Sequence, residues 1–436
     1  MADVWAEVVN FTAPISTGNS DISLSTHSGD TPKAVMFVMV AATADATTTD
    51  EDCMSIGAAD ATNNWVAAHN SEHGSANTDT HRYFNVGAHG SSAGECIHIM
   101  PAGATDFLAR FVSFGTGKCT INTITAGSAW RGYALFFGGG DLSVDCNKFD
   151  APANSGGTVS PSPGFETTLC LMASTSSAAS GTIGTFGGLQ FGGFAYNNPT
   201  ITQACMSGLS RDGRPSGDTN SAVWNAECFG ALSSASINYV LSCTAVTSTT
   251  FTITNNDAND DTTDDIGYLA LGGTGSTWME LFTPSGTSST SVQYSNPGFE
   301  PEFVGFAMTP QTTEATTNTG GDGPGGSFAM SATDGTTERC LQRYEEDASA
   351  TTDTASRSDD RIFKYYDDLH SSEFADCTMA STPFYASGFQ VDQTANNPNT
   401  SHYWLGFGFE AGTGPVAGTT GRTNPFIGRS PFRGPI

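Results

Sequence analysis

Apolar and polar residues alternate with a period of two over short stretches nearly everywhere in this chain. In Thr249-Thr-Phe-Thr-Ile-Thr254 the apolar positions are Phe251 and Ile253, separated by threonines, and Cys119-Thr-Ile-Asn-Thr-Ile124 follows the same rule. Successive side chains of a strand point to opposite faces, so such runs predict strands with one face on a core and one in water. Ile97-His-Ile-Met100 and Arg361-Ile-Phe-Lys-Tyr-Tyr366 read the same way. Gly, Asn, Asp and Ser bound the runs, as turns require. Helical periodicity is nearly absent. The segment Ser371-Ser-Glu-Phe-Ala-Asp376, with Ser as its cap, is the candidate for one short helical turn.

The same pattern repeats on a longer scale. An aromatic strand runs into glycines at Arg131-Gly-Tyr-Ala-Leu-Phe-Phe-Gly-Gly139, Ile266-Gly-Tyr-Leu-Ala-Leu-Gly-Gly273 and His402-Tyr-Trp-Leu-Gly-Phe-Gly408, with Tyr133, Tyr268 and Tyr403 spaced by 135 residues each time. A proline turn leads into an apolar strand at Pro32, at Pro163-Gly-Phe165 and at Pro297-Gly-Phe299. Strands closed by proline stand at Val4–Pro14, Val144–Pro152 and Trp278–Pro284, and mid-unit strands at Ser55–Ala59, Phe191–Ala195 and Ser327–Ser331. Four markers in one order, three times over, predict tandem duplication. The expected architecture is all-β: three tandem β-sandwich or jelly-roll-like domains of about 135 residues, at 1–142, 143–272 and 273–412. The closing glycines pass almost directly into the next opening strand, which predicts close packing between units.

Residues 413–436 differ from the rest: they hold no acidic residue and three arginines, and Pro and Gly prevent a helix. They read as an extended docking arm, with Arg422, Phe426, Ile427, Arg429, Phe432, Arg433 and Ile436 as its anchors. A formal net charge of −28 argues against nucleic acid or an anionic membrane surface as a partner. The opening residues lack the features of a secretory signal, and Ala34–Ala42 is too short to span a bilayer, so synthesis in the cytoplasm is expected. None of the ten cysteines forms a CxxC pair, and they read as reduced, small hydrophobic residues.

Candidate chemistry is sparse. His69-Asn-Ser-Glu72-His73 has the spelling of an inverted zinc-protease motif, but that motif needs a helix, and the surrounding Asn, Ser and Gly predict a polar loop. The carboxylates of the Asp257–Asp265 loop leave a Ca2+ ion open, although the spacing is not that of an EF-hand and a solvated hairpin tip is preferred. No other cofactor and no catalytic residue is expected. No polar constellation is read as common to all three units; core and turn residues are what repeat.

The repeat, with its Pro-Gly-Phe opening and the Tyr268-Leu-Ala-Leu-Gly-Gly273 ending, resembles repeated domains in virion structural proteins of tailed bacteriophages. The second unit matches best, the third keeps Pro297-Gly-Phe-Glu-Pro301, and the first departs at Thr31-Pro32-Lys33. The resemblance implies a particle component without enzymatic activity, whether head cement, decoration or tail part, whose partners are other virion proteins and copies of itself. The alternative is a receptor- or glycan-binding module of a tail fibre, contacting a host surface glycan through aromatic platforms at Trp65, Trp224 and Tyr344.

Overall fold

The computed structural model describes residues 3–89, 94–175, 181–185, 187–214, 219–233, 236–257, 264–283, 290–319, 327–345, 354–368, 372–396 and 402–410. Among them the regular structure is all strand apart from a single 3-10 turn at Pro101–Gly103. The first strands are β1 (Trp5–Thr12), β2 (Gly18–Ser23), β3 (Ala34–Val40), β4 (Thr48–Thr49), β5 (Asp52–Asp60), β6 (Asn63–Ser71), β7 (Thr80–Ala88), β8 (Glu95–Ile99), β9 (Phe107–Gly115), β10 (Lys118–Thr125) and β11 (Arg131–Gly138). There follow β12 (Ser143–Asp150), β13 (Thr158–Val159), β14 (Leu169–Ser174), β15 (Gly184–Thr185), β16 (Gly187–Asn197), β17 (Thr200–Ser210), β18 (Thr219–Trp224), β19 (Phe229–Ser233), β20 (Ser236–Val246), β21 (Phe251–Asn255) and β22 (Asp265–Gly272). The last are β23 (Thr277–Phe282), β24 (Thr290–Tyr294), β25 (Pro301–Met308), β26 (Asn318–Thr319), β27 (Phe328–Thr333), β28 (Glu338–Glu345), β29 (Thr354–Asp359), β30 (Phe363–Asp368), β31 (Ser372–Tyr385), β32 (Gly388–Asn396) and β33 (Trp404–Glu410).

These strands form six sheets, three of seven strands and three of four. The first pair is ordered β1-β11-β3-β5-β6-β7-β15 and β2-β10-β9-β8. The same order recurs eleven strands later and again eleven after that. Within each pair the two opening strands lie beside the two closing ones, one couple per sheet, so the start and end of the segment cross between layers together.

The layers explain the hydrophobic pattern. Each small sheet covers one face of its large sheet. In the first pair Trp5, Val35, Phe37 and Met39 meet Ile97, Phe107, Phe111, Cys119 and Ile121. The outer face of the small sheets meets water, hence the alternation at β10 and β21: Cys119, Ile121, Phe251 and Ile253 are buried, and Thr120 and Thr252 are not. The large sheets are covered on both faces. β3 is therefore continuously apolar: Val35, Phe37 and Met39 point to the small sheet, while Ala34, Met36, Val38 and Val40 point to a second core shared by all three large sheets.

Close approach of the two layers is bought locally by glycine. A Cβ at Gly57 would lie 2.0 Å from the Cys96 carbonyl oxygen, and one at Gly192 would lie 2.5 Å from that of Cys228. Two expectations are corrected. The segment read as a helical turn near 371–376 belongs to β31, paired on both sides within its small sheet. β8 is buried on both faces, because it lies beneath β5 and β6; His98, expected in water, is 2 % exposed.

Candidate functional site

The last strand of every large sheet comes from elsewhere in the chain. β15 pairs with β7, β26 with β18 and β4 with β29. Each sheet pair thus gives a two-residue strand to another and receives one, and the three exchanges close a cycle. Side chains hold the joins. Arg339 bonds the Asp45 carboxylate and, at 2.8 Å, Ser358 Oγ beside β4. The Thr78 and Arg214 backbones bond at 2.8 Å, and Gln311 Nε2 donates to the Ser221 carbonyl at 3.1 Å.

A second set of joins repeats the cycle. Asp60 ends β5 and its Oδ1 caps its own turn, accepting from the Thr62 and Asn63 amides at 2.6 and 2.7 Å. Its Oδ2 accepts from the Cys146 amide of β12 at 2.8 Å. Asp334, after β27, caps its turn at Thr336 and Thr337, both at 2.8 Å, and Oδ2 accepts from the Val8 amide of β1 at 3.0 Å. The receiving residues are register equivalents, since Val8 faces Leu135 and Cys146 faces Leu269 in their respective edge pairs. At the remaining join Asn197 does the work: Oδ1 accepts from the Thr277 amide at 2.9 Å and Nδ2 donates to the Thr277 carbonyl at 2.7 Å. An Asp clamp thus recurs at two of the three joins, while an amide makes the third in a different way. Short Asx turns are common in sequence, and nothing local shows that one carboxylate oxygen serves a distant strand.

Between the large sheets lies the shared core, including Ile56, Phe84, Phe137, Phe191, Leu341 and Phe407. Trp65 crosses a junction here. Its Nε1 donates to the Tyr268 carbonyl at 2.9 Å, and its ring lies over Gly267, where a Cβ would come within 2.5 Å of the indole. At one end the core gives way to polar side chains. Ser71, Ser210 and Glu345 end β6, β17 and β28, facing Thr80, Thr219 and Thr354. They converge: both serine hydroxyls donate to Glu345 Oε1, that of Ser71 at 2.7 Å. Two residues earlier, Arg343 donates to Asp52 Oδ2 at 3.1 Å and to His69 Nδ1, with Nη2 3.7 Å from Glu345 Oε2. His69 Nε2 donates to the Gly187 carbonyl at 3.0 Å, so the network assigns the neutral Nε2–H tautomer. Burial first, and Arg343 second, hold the imidazole well below its ordinary pKa. Burial pushes the Asp52 carboxyl well above the usual carboxylate range, against the pull of Arg343. With every member buried, this cluster is suited to fixing how three sheets meet; removing one partner of such a pair costs ~3–5 kcal/mol.

The sequence-derived candidates distribute as follows. Arg422, Phe426, Ile427, Arg429, Phe432, Arg433 and Ile436 lie outside the described residues, as does most of the Asp257–Asp265 loop. Of that loop, Asp265 is described bonding Lys148. Pro163 and Pro297 precede left-handed glycines, Gly164 and Gly298, in turns that seat Phe165 and Phe299 on the cores of their sandwiches, while Pro32 is buried directly before β3. Tyr133 and Tyr403 belong to the shared core, whereas Tyr268 points into a sandwich interior. His69 is in strand β6 and not in a loop, because β6 is covered on both faces; His73 lies beyond the strand end, where Nδ1 accepts from the Thr354 amide at 3.3 Å. The proposed aromatic platforms are interior: Trp65 is 1 % exposed, and Trp224 and Tyr344 are each 4 % exposed. Among the described residues no group of three His, Cys, Asp or Glu side chains is placed to hold a metal ion, and the nine described cysteines are buried and free.

An open cleft lies at one of the junctions. It has a volume of about 520 Å3 and lies between the β16–β17 hairpin and β23, at the join made by Asn197. No protein-family model matches this chain, and no curated protein or solved structure matches it.

Proposed function

We propose that this chain is a non-enzymatic structural protein of a bacteriophage virion. In this reading it comprises three tandem β-sandwich domains of jelly-roll type, at 1–142, 143–272 and 273–412. It joins neighbouring virion proteins and copies of itself through sandwich surfaces and the arm at 413–436, as head cement, decoration or a tail component. The observation that carries the reading is the closed cycle of joins, in which exchanged strands, Asx clamps and a buried polar cluster all serve to hold one chain together as a block. A net charge of −28 favours solubility of such blocks at high concentration before assembly. The second reading, a glycan-binding module, draws support from the cleft beside Asn197.

Size-exclusion chromatography with light scattering tests the assembly reading, on the full chain and on one ending at Gly412. The expected result is a defined oligomer that dissociates when the arm is removed. A monodisperse species of 45.3 kDa for the full chain, unchanged in kind by the truncation, would overturn self-assembly through the arm.

A further inference from the structure

The three hairpins that clasp a neighbouring sheet are not alike. β16 and β17 are eleven residues each, against nine for β5 and β6 and six and eight for β27 and β28. The longer hairpin overreaches. Asn197 therefore grips Thr277 at the start of β23, four residues before Leu281, which faces Leu405 and so stands where Val8 and Cys146 stand. The cleft opens at this departure from the pattern.

Its lining has a consistent chemistry. Amides project from both sides, Gln203 and Asn225 from one and Asn296 from the other, and among the described lining residues the only charge is the carboxylate of Glu280. Apolar surface is supplied by Ile201 and Pro297. The polar groups are held in place: Trp278 Nε1 and Asn296 Nδ2 both donate to Glu280 Oε2 at 3.1 Å. Gln203 Oε1 accepts from the Cys243 amide at 2.8 Å while its Nε2 donates to the Ala226 carbonyl at 2.5 Å. Asn225, Asn296 and Glu280 offer donors and acceptors to hydroxyl groups, and the apolar patch suits the C–H face of a sugar ring. With no cation in the lining and a strongly negative chain, an anionic ligand is disfavoured. A volume of about 520 Å3 falls within the ~300–1,000 Å3 common for ligand sites.

We propose that the cleft between the β16–β17 hairpin and β23 binds a short neutral oligosaccharide, with Glu280, Asn225 and Asn296 as its hydrogen-bonding groups. The site is independent of the assembly reading and of the arm.

The test uses the full chain and a panel of neutral di- and trisaccharides of glucose, galactose, mannose and N-acetylglucosamine, with sialylated and sulfated counterparts. Binding is measured by titration calorimetry for the free sugars and on an array for the same sugars as immobilised chain ends. At least one neutral sugar is expected to bind, with affinity reduced tenfold or more in Glu280→Ala and in Asn225→Ala. Asn225 is exposed, so Asn225→Ala should melt as the parent does, and its loss of binding then reports the site and not misfolding. Binding to the free sugars marks a soluble oligosaccharide as sufficient; binding only on the array marks the ends of a surface polysaccharide, and either supports the site. Failure of every neutral sugar, binding confined to anionic sugars, or affinities unchanged in both variants would overturn the proposal, whatever the oligomeric state.

Discussion

Gly267 lacks a side chain where its counterparts are Tyr133 and Tyr403, and Trp65 fills the space from across a junction. Core volume is conserved by trading a large residue on one strand for a large residue on another. Gly267→Ala would place a methyl within 2.5 Å of the Trp65 ring, so it is expected to cost ~1–3 kcal/mol, read as a lower denaturation midpoint at unchanged m-value. Trp65→Phe in the same chain should recover part of that loss; equal stability of Gly267→Ala and parent would show that the ring is free to move. The trade also explains what equal tyrosine spacing concealed. Ala134, Tyr268 and Trp404 are the true equivalents, facing Phe37, Met172 and Met308, and the closing glycines that pair with Trp5, Ser143 and Trp278 are Gly138, Gly272 and Gly408. A displacement of one residue sends a side chain to the other face, so Tyr268 lies in a sandwich while the other two tyrosines line the shared core.

Among the elements, the hairpins that clasp the next sheet do most to hold the assembly of sheets in place. Asp60→Ala and Asp334→Ala each remove a turn cap and a long-range bond, and each is expected to lower stability by ~1–3 kcal/mol in thermal or denaturant unfolding. Asp60→Asn should retain only part of it, since both carboxylate oxygens accept from amides and the Nδ2 that replaces one of them cannot accept. Full stability of Asp60→Asn would show that one acceptor suffices there. The strands themselves were legible from alternation, as β10 and β21 show, and β3 from its unbroken apolar run. β31 was mistaken for a helical turn because Ser, Glu and Asp mimic a helix cap, a local preference that pairing on two sides overrides. The polar contacts were not legible, because Asp60, Asp334, Arg343 and Glu345 find their partners at separations of 86 to 326 residues.

In the whole molecule, buried histidines tie stability to acidity. Burial pulls His98 down to about 3 and His402 to about 4, and His69 lies well below its ordinary value too. Below pH ~6.5 the unfolded chain takes up protons that the fold refuses, so each such group lowers the unfolding free energy by about 1.4 kcal/mol per pH unit, and contributes nothing above that range. Asp52 acts in the opposite sense: above pH ~4, up to its raised value, the fold keeps a proton that the unfolded chain has released. His98→Gln isolates one contribution. Its plot of unfolding free energy against pH should be shallower than the parent's between pH 6.5 and 5, and an identical slope would refute a neutral His98. The recurring strand order was legible at this scale because markers such as Tyr133, Phe191 and Tyr268 lie in strands of five residues or more. The exchange was not: Thr48-Thr49, Gly184-Thr185 and Asn318-Thr319 are too short to carry a period. That exchange also sets a timetable. As the chain leaves the ribosome, β7 waits for β15, and β18 waits for β26. The Val8 amide waits for Asp334, and β4 for β29, both more than 300 residues downstream. The nascent protein therefore carries an uncovered apolar face through most of its synthesis, and its demand on chaperones falls before release and not after it.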